Sequence, residues 1–212
     1  MGTTPKQVLD MEALQAVIGG ATGGNDSIRG TSNNDTLQGF GGNDTIMAGG
    51  GQDRVDGNDG DDDVRGEDGD DTVRGQAGND RVDGGSGQDL LLGGAGRDNL
   101  FGGAGDDTLV GGVGNDAVSG GDGQDRILWA RGDGNDTITG GAGTDTLVLE
   151  NTNLSLDQLL GAITVSSGMP RIVGGAIDVT GLTGFITIGN ERISFRELER
   201  IEIGSFTVLD GR

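Results

Sequence analysis

The most regular feature of the chain is one aliphatic residue that returns every nine positions, with polar residues and glycine between the copies. A single apolar residue flanked by two others is the pattern of a three-residue strand that turns one side chain inward. The pattern therefore predicts a series of very short strands separated by six-residue turns. The repeating aliphatic residues are Ile28, Leu37, Ile46, Val55, Val64, Val73, Val82, Leu91, Leu100, Leu109, Val118, Ile127, Ile138 and Leu147.

Aligned on this residue, the chain divides into fourteen nine-residue units between residues 21 and 148. Twelve units follow one another without insertion or deletion as far as Leu128, and two more follow a two-residue insertion, Trp129 and Ala130. Repeats of this kind stack on their neighbours and build an elongated solenoid. The units begin at Ala21, Gly30, Gly39, Ala48, Gly57, Gly66, Gly75, Gly84, Gly93, Gly102, Gly111, Gly120, Arg131 and Gly140.

Glycine occupies the fourth position of thirteen units, and Asn33 occupies it in the other. Glycine, and after it asparagine, tolerates a left-handed backbone best, so this position indicates a conformational requirement of the turn. If two units form one flattened turn, equivalent residues of successive turns lie about 4.8 Å apart, as hydrogen-bonded strands do. We therefore predict an all-β fold, a right-handed parallel β-roll whose two sheets share a thin aliphatic core.

The sixth position of every unit is aspartate. Stacking would gather these carboxylates into two columns, one on each edge of the roll, where neighbours would repel by roughly 3 kcal/mol at an effective dielectric constant of about 20. A thin core cannot offset that repulsion many times over, so the columns require cations between the turns. One column contains Asp26, Asp44, Asp62, Asp80, Asp98 and Asp116, the other contains Asp35, Asp53, Asp71, Asp89, Asp107 and Asp125, and the last two units add Asp136 and Asp145.

Oxygen atoms are the natural ligands for such a cation, because the chain contains no Cys and no His. Carboxylates combined with the carbonyls of a flexible turn suit Ca²⁺, whereas Mg²⁺ demands octahedral geometry and retains its waters. The intervals within the two columns predict about 10 to 12 calcium ions, whose charge would balance the formal net charge of -21. The predicted ligands are the fourteen Asp side chains and the turn backbone of Gly42, Gly51, Gly60, Gly69, Gly78, Gly87, Gly96, Gly105, Gly114 and Gly123.

The acidic charge, from 35 acidic and 14 basic residues, argues against nucleic acid and anionic membrane as partners. No segment is long and apolar enough to predict a membrane span. Catalysis is not expected either. Acidic pairs such as Asp61 and Asp62 lack the aromatic platforms of a sugar cleft in a chain with one Trp and no Tyr, and the glycine strings lack the strand-to-helix setting of a phosphate loop.

The two ends depart from the repeat. Residues 1–20 are predicted to form a short helical cap, with Pro5 in its first turn and Gly19 at its end. Asp10 and Glu12 interrupt its apolar stretch, so we expect no cleavable secretory signal. The initial Met and the two distinct caps favour a complete small protein.

Residues 149–212 lose the nine-residue period and gain apolar alternation, which predicts a β-rich C-terminal capping region. Ser155 and Gln158 have the spacing of a capping box that opens a helical turn closed by Gly161, and Ser194 with Glu197 predicts a second turn of this kind. The insertion at Trp129 predicts a bulge beside this cap, with the indole ring buried.

The repeat closely resembles the RTX, or haemolysin-type calcium-binding, nonapeptide Gly-Gly-x-Gly-x-Asp-x-aliphatic-x. The units GGAGRDNLF, GGAGDDTLV, GGVGNDAVS and GGAGTDTLV match it in full. The resemblance implies calcium held between turns by the sixth-position Asp and turn carbonyls. It also implies that a bacterial type I secretion apparatus exports the chain unfolded, with a signal in the last ~50 residues, and that the chain folds outside the cell or at its surface.

Departures from the repeat fall at its first two positions and indicate weaker individual sites, chiefly the first two. The departing residues are Ala21 and Ala48 at the first position, and Thr22, Thr31, Phe40, Asn58, Glu67 and Gln76 at the second.

Three non-catalytic roles remain open: a structural, matrix or surface protein, a calcium-dependent folding and secretion module of a larger exoprotein, and an adhesin-type or ice-binding module. The mixed seventh position lacks the regular Thr row expected of ice binding. Outward Arg residues beside Asp56 and Asp83 predict a solvated, self-compensated face, with homo-oligomers or filaments through faces or ends as the alternative. These Arg residues are Arg29, Arg54, Arg65, Arg74, Arg81 and Arg126.

Overall fold

A computed structural model describes residues 8–9, 17–19 and 23–204 of the chain. Sixteen parallel strands precede the C-terminal cap in this part of the molecule. They are β1 Val8–Leu9, β2 Val17–Gly19, β3 Ser27–Arg29, β4 Thr36–Gln38, β5 Thr45–Gly50, β6 Arg54–Asp59, β7 Asp63–Asp68, β8 Thr72–Ala77, β9 Arg81–Ser86, β10 Leu90–Gly96, β11 Asn99–Ala104, β12 Thr108–Gly114, β13 Ala117–Gly123, β14 Arg126–Ala130, β15 Thr137–Gly143 and β16 Thr146–Glu150.

The strands form two parallel ladders, which confirms the predicted roll. Odd-numbered strands pair in series from β3 to β15, and even-numbered strands pair from β4 to β16. Ile46 pairs with Val64 and Val55 with Val73, so one turn consumes two units. All fourteen repeating aliphatic residues are buried at 4% exposure or less and form one core between the ladders.

Most strands are longer than the predicted three residues. From β5 to β13 each strand has six or seven residues, because pairing continues through the glycine-rich start of the next unit, as between Gly49 and Glu67. The tight turn is therefore confined to the fourth, fifth and sixth positions. These are the positions where the backbone reverses and the Asp side chain turns inward.

The insertion lengthens a strand and does not form the predicted bulge. Trp129 and Ala130 continue β14 and pair in register with Leu149 and Glu150 of β16, so the spacing between paired residues rises from 18 to 20. The prediction of a bulge was wrong because β14 and its partner β16 are each two residues longer, so the added residues pair with one another. The burial of the Trp129 ring is confirmed at 2% exposure.

The predicted N-terminal helix falls mainly outside the described residues. Within its span, the described backbone is strand: β1 pairs with β3 and β2 pairs with β4. Where it is described, this segment therefore extends both ladders by one further rung instead of forming a helix. The predicted departures at Ala21 and Thr22 also lie outside the described residues.

The C-terminal cap comprises the helix α1 Leu156–Ala162 and the strands β17 Ile163–Val165, β18 Arg171–Val173, β19 Ala176–Ile188 and β20 Glu191–Gly204. The capping box of Ser155 and Gln158 is present, although Gly161 lies within the helix. Ser194 and Glu197 lie in β20, so the second predicted helical turn was wrong. The alternation of buried residues such as Ile193 and Phe195 explains the preference for strand.

β20 closes the end of the roll. It pairs with β15 through residues 194–196 and with β16 through residues 200–204, while its other edge pairs with β19. One long strand thus covers the exposed edges of both ladders, which prevents uncontrolled edge pairing at this end.

Arg54, Arg65, Arg74 and Arg81 pair with Asp side chains, which confirms the predicted charge compensation for these four residues. The prediction of a solvated face was wrong for Arg74 and Asp56, which are 8% and 4% exposed. Arg65 contacts Asp63 at 2.6 Å and Arg81 contacts Asp83 at 2.8 Å, both partly exposed. Arg74 and Asp56, 3.3 Å apart, form a pair that is almost buried. No helix in the described ranges is long and apolar enough to cross a membrane.

Candidate metal centre

The sixth-position Asp residues do form two columns along the edges of the roll. In each column the backbone N–H of one Asp donates to Oδ1 of the Asp one turn further on. Asp80 donates to Asp98 at 2.9 Å, and Asp89 donates to Asp107 at 2.8 Å. Twelve such bonds, of 2.7 to 3.0 Å, connect all fourteen predicted Asp residues.

The second carboxylate oxygen of these residues is buried without a hydrogen-bond partner in the protein. The oxygen without a partner is Oδ2 in twelve of the fourteen Asp residues and Oδ1 in Asp35, and Asp136 is the exception. A buried unsatisfied carboxylate oxygen is costly, and its repetition at every turn is too regular to be a local defect. The edges therefore carry a periodic row of acceptors suited to a cation.

A first-position glycine is the second element of most sites, with Ala48 and Arg131 as the exceptions among the described units, and its role was not predicted. A Cβ built on Gly102 would collide with the unsatisfied Oδ2 of Asp107 and with the carbonyl oxygen of Gly120 one turn further on. The same pair of oxygens converges on the first-position glycines Gly39 and Gly84. The recurrence of glycine at this position was the available signal, but only the stacked structure shows that the reason is space for two oxygens.

Eleven of the thirteen fourth-position glycines adopt positive φ angles, as the dihedral argument predicts; Gly60 has 136° and Gly78 has 144°. The prediction was wrong for Asn33 and Gly114, which do not adopt a left-handed backbone. Their carbonyl oxygens point along the stack, and that of Gly60 would collide with a Cβ on Gly78. The predicted backbone set from Gly42 to Gly123 thus lines the same two edges as the Asp columns. Its carbonyls add further oxygen atoms to these edges.

The fifth position forms a further ladder that sequence reasoning missed. Wherever it is Asn or Asp, in nine units, the side-chain oxygen accepts a backbone N–H from the next turn. In eight of these units the donor is the fifth residue one turn further on, and for Asn135 it is Arg192 of β20. The bond from Asn79 N–H to Asp61 is 2.7 Å long. The enrichment of Asn and Asp could have revealed this ladder, which fixes the turn next to each column.

For twelve of the column carboxyls, burial has the largest effect and raises the pKa, while the hydrogen bond from a backbone N–H lowers it. Neighbouring carboxylates of the column, such as Asp80 beside Asp62, raise the pKa further. The pKa is raised to about 7 for Asp62, Asp98, Asp107 and Asp136, to about 6 for Asp53, Asp80, Asp89, Asp116 and Asp125, and in the same direction for Asp44, Asp71 and Asp145.

The donor set fits a hard divalent cation. Each interval between turns offers one or two Asp carboxylates together with backbone carbonyls, and nowhere in residues 23–204 do three or more carboxylates, His or Cys converge on one point. A site built from few carboxylates and many carbonyls in a glycine turn matches the flexible oxygen coordination of Ca²⁺. Such an ion would satisfy the buried oxygens and offset the repulsion within each column.

Departures at the second position have visible consequences. The Thr31 hydroxyl and N–H both donate to Oδ2 of Asp35, at 2.9 and 2.7 Å, and so occupy an oxygen that stays free elsewhere in that column. Phe40 and Glu67 adopt φ angles of 69° and 76°, a left-handed conformation that costs about 1–2 kcal/mol in a residue with a Cβ.

A parallel roll with buried, incompletely satisfied carboxylate columns defines a metal-binding solenoid. Residues 20–55, 56–91, 92–127 and 132–152 match the RTX calcium-binding nonapeptide repeat, four copies that together cover more than half of the chain. The chain therefore belongs to the RTX calcium-binding nonapeptide repeat family, and its repeats are structural units that bind Ca²⁺.

No curated protein matches the chain. Among solved structures it is similar to the extracellular lipase LipA from Serratia marcescens, with 15% sequence identity and a TM-score of 0.30. The similarity covers 86% of this chain and 39% of the lipase, so the chain spans well under half of that protein's length.

Proposed function

We propose that the chain is an extracellular calcium-binding β-roll protein that folds when Ca²⁺ binds after type I secretion, and that it serves a structural, matrix or surface role without catalysis of its own. The row of buried, unpartnered Asp oxygens carries this proposal. The folded roll without a cation would retain that cost at every turn, so folding is coupled to the calcium concentration.

In this proposal the fourteen column Asp residues supply the side-chain ligands, and carbonyls of the first and fourth positions supply backbone ligands. Successive Asp residues define twelve intervals, six in each column. Occupation of most of them gives the predicted 10 to 12 ions. The interval at Asp35 is the weakest, because Thr31 competes for its carboxylate.

The stoichiometry tests this assignment. Equilibrium dialysis in millimolar Ca²⁺ followed by atomic emission should find about 10 to 12 ions per chain. A parallel dialysis against Mg²⁺ should leave most sites empty. A count of one or two ions, or equal occupation by Mg²⁺, would contradict the assignment of the columns as calcium sites.

The structural role is supported by an exposed strand at the surface of the cap. β18 pairs only with β19 among the described strands, and its Ile172 and Val173 are 40% and 55% exposed. An apolar strand with one free edge can pair with the same strand of a second copy.

Sedimentation and electron microscopy in calcium should show assemblies that Val173→Asp disrupts and the exposed-turn control Ser167→Asp does not. Monomers at all concentrations would remove the matrix role.

A further inference from the structure

The C-terminal cap follows the path of a next turn of the roll, and at one of the two edges it also continues the carboxylate column. β20 pairs with β15 through residues 194–196 and with β16 from residue 200 onward. Only three residues, Glu197, Leu198 and Glu199, therefore connect the two ladders at the edge where Asp145 lies. Each repeat uses six residues for the same crossing. Thr146 pairs with Arg200, which places Glu199 where the next sixth-position Asp would lie.

Glu199 also takes over the hydrogen bond of that missing Asp. The N–H of Asp125 donates to Asp145 in the regular way, and the N–H of Asp145 donates to Oε2 of Glu199 at 2.8 Å. The longer Glu side chain bridges the gap that the shorter crossing leaves. The carboxylate column therefore continues by one member beyond the last repeat.

The second element of a repeat site is present as well. In the repeats, the Asp oxygen and a carbonyl oxygen of the following turn converge on the first-position glycine, as Asp125 and Gly140 do at Gly120. At Gly140 the converging atoms are Oδ2 of Asp145, 2.7 Å from the position of a Cβ, and the carbonyl oxygen of Glu197. Asp145 is fully buried, and its Oδ2 has no hydrogen-bond partner.

We propose that Asp145, Glu199 and the carbonyl oxygen of Glu197 form a terminal calcium site that fastens the cap to the last turn of the roll. This inference rests on the proposed calcium-dependent folding of the repeats. The site has only one short crossing to supply carbonyls, so water completes its coordination and it fills after the repeat sites. At the opposite edge, Ser194 pairs with Thr137, which puts Ile193 in the equivalent place without a carboxylate. Calcium thus fastens the cap at one edge only.

Glu199→Gln separates ligation from hydrogen bonding. The Gln carbonyl can still accept the N–H of Asp145, but the substitution removes the negative charge and one of the two ligand oxygens of the carboxylate, which lowers the calcium affinity of this site. The matched control is Glu202→Gln, which removes the same charge from the same strand where Glu202 pairs with Arg200. Native mass spectrometry in a calcium series should count one ion fewer for Glu199→Gln than for the wild type and for Glu202→Gln.

Hydrogen exchange supplies the second readout. Wild-type peptides from residues 191–204 should gain a last increment of protection at calcium levels above those that order the repeats, and Glu199→Gln should lack this increment while its circular dichroism transition stays unchanged.

Equal ion counts in all three proteins would overturn the site. So would loss of an ion in both variants, or collapse of the whole transition in Glu199→Gln. If Glu199→Ala detaches the cap while Glu199→Gln keeps every ion, Glu199 is only a hydrogen-bonding residue and the proposal is wrong. A wild-type chain without a calcium transition would instead refute the proposed function.

Discussion

The backbone N–H of Asp80 donates to Oδ1 of Asp98 at 2.9 Å, while Oδ2 of Asp98 is buried without a partner. One oxygen of the carboxylate thus connects two turns of the backbone, and the other is left for a cation. The relationship repeats along both edges, so the same residue contributes to the register of the roll and, in the proposed function, to the binding of calcium.

Removal of one column member should damage two adjacent sites. Asp80→Ala removes a carboxylate between the turns of Asp62 and Asp98 and is expected to weaken calcium binding at both sites about tenfold or more, at least ~1.4 kcal/mol each. Asp83→Ala, which loses only a surface pair with Arg81, should change calcium binding little. Calorimetric titration of the two variants compares them, and equal losses would contradict the column assignment.

Acid should partly replace calcium. Folding raises the pKa of carboxyls such as Asp98 and Asp107 to about 7, above the value of about 3.9 in an unfolded chain. When folding raises the pKa of a carboxyl group, that group stabilises the folded state in its protonated form. This stabilisation is fully present below the pKa of the unfolded chain, and it is lost as pH rises through the pKa of the folded chain.

The chelated protein should therefore gain β structure as pH falls from 7.5 to 5. Because protons compete with Ca²⁺ for the same carboxylates, the calcium midpoint should move to higher concentration over the same interval. Circular dichroism at several pH values measures both effects. A calcium midpoint that is independent of pH between 5 and 7.5 would count against the titrating columns.

A methyl group at a first-position glycine should disturb the site without any demand on the backbone dihedral angles. Gly102→Ala places a Cβ against Oδ2 of Asp107 and the carbonyl of Gly120, so we expect a raised calcium midpoint and a loss of about 1–3 kcal/mol of stability from overpacking. Gly161→Ala, where a Cβ meets nothing within 4 Å, is the control. Thermal stability measured against calcium concentration should differ between the two variants. Indistinguishable curves would mean that the space beside Gly102 is not needed for calcium binding.

The fluorescence of Trp129 reports on folding at the C-terminal end of the roll. Its ring is buried at 2% exposure between the last repeats and the cap, so calcium addition to the chelated protein should shift its emission to shorter wavelength. Magnesium at equal ionic strength should leave the emission unchanged. Since this is the single Trp of the chain, an emission maximum that does not respond to calcium would show that the region folds without it.

The sequence predicted the roll well because its information is periodic. The residues at the eighth position, such as Leu91 and Leu109, are buried as the pattern indicates, and Asp at the sixth position falls into columns once the 18-residue register is known. A period determines which residues stack, and stacking determines most of the chemistry of a solenoid.

Features that depend on contacts between non-equivalent positions could not be predicted in this way. Periodicity gave no sign that Gly102 makes room for oxygens of two different turns, or that Trp129 lengthens β14 where a bulge was expected. Ser194 and Glu197 have the spacing of a capping box, but pairing of β20 with β15 overrides that local preference. The role of Glu199 is visible only once β20 is placed against the last turn.

Far-UV circular dichroism against free calcium tests the central claim most directly. Residues 21–148 contain 25 acidic and 8 basic residues, a net charge of -17, around a core with one regular inward aliphatic residue per unit. In the proposed function each ion bridges two turns and completes half of the next site, so binding and folding should propagate together. The account predicts a largely unfolded spectrum in chelator, one steep cooperative gain of β structure on calcium addition, no comparable gain with magnesium, and reversal by chelator. A fully formed β spectrum in excess chelator at neutral pH would contradict it.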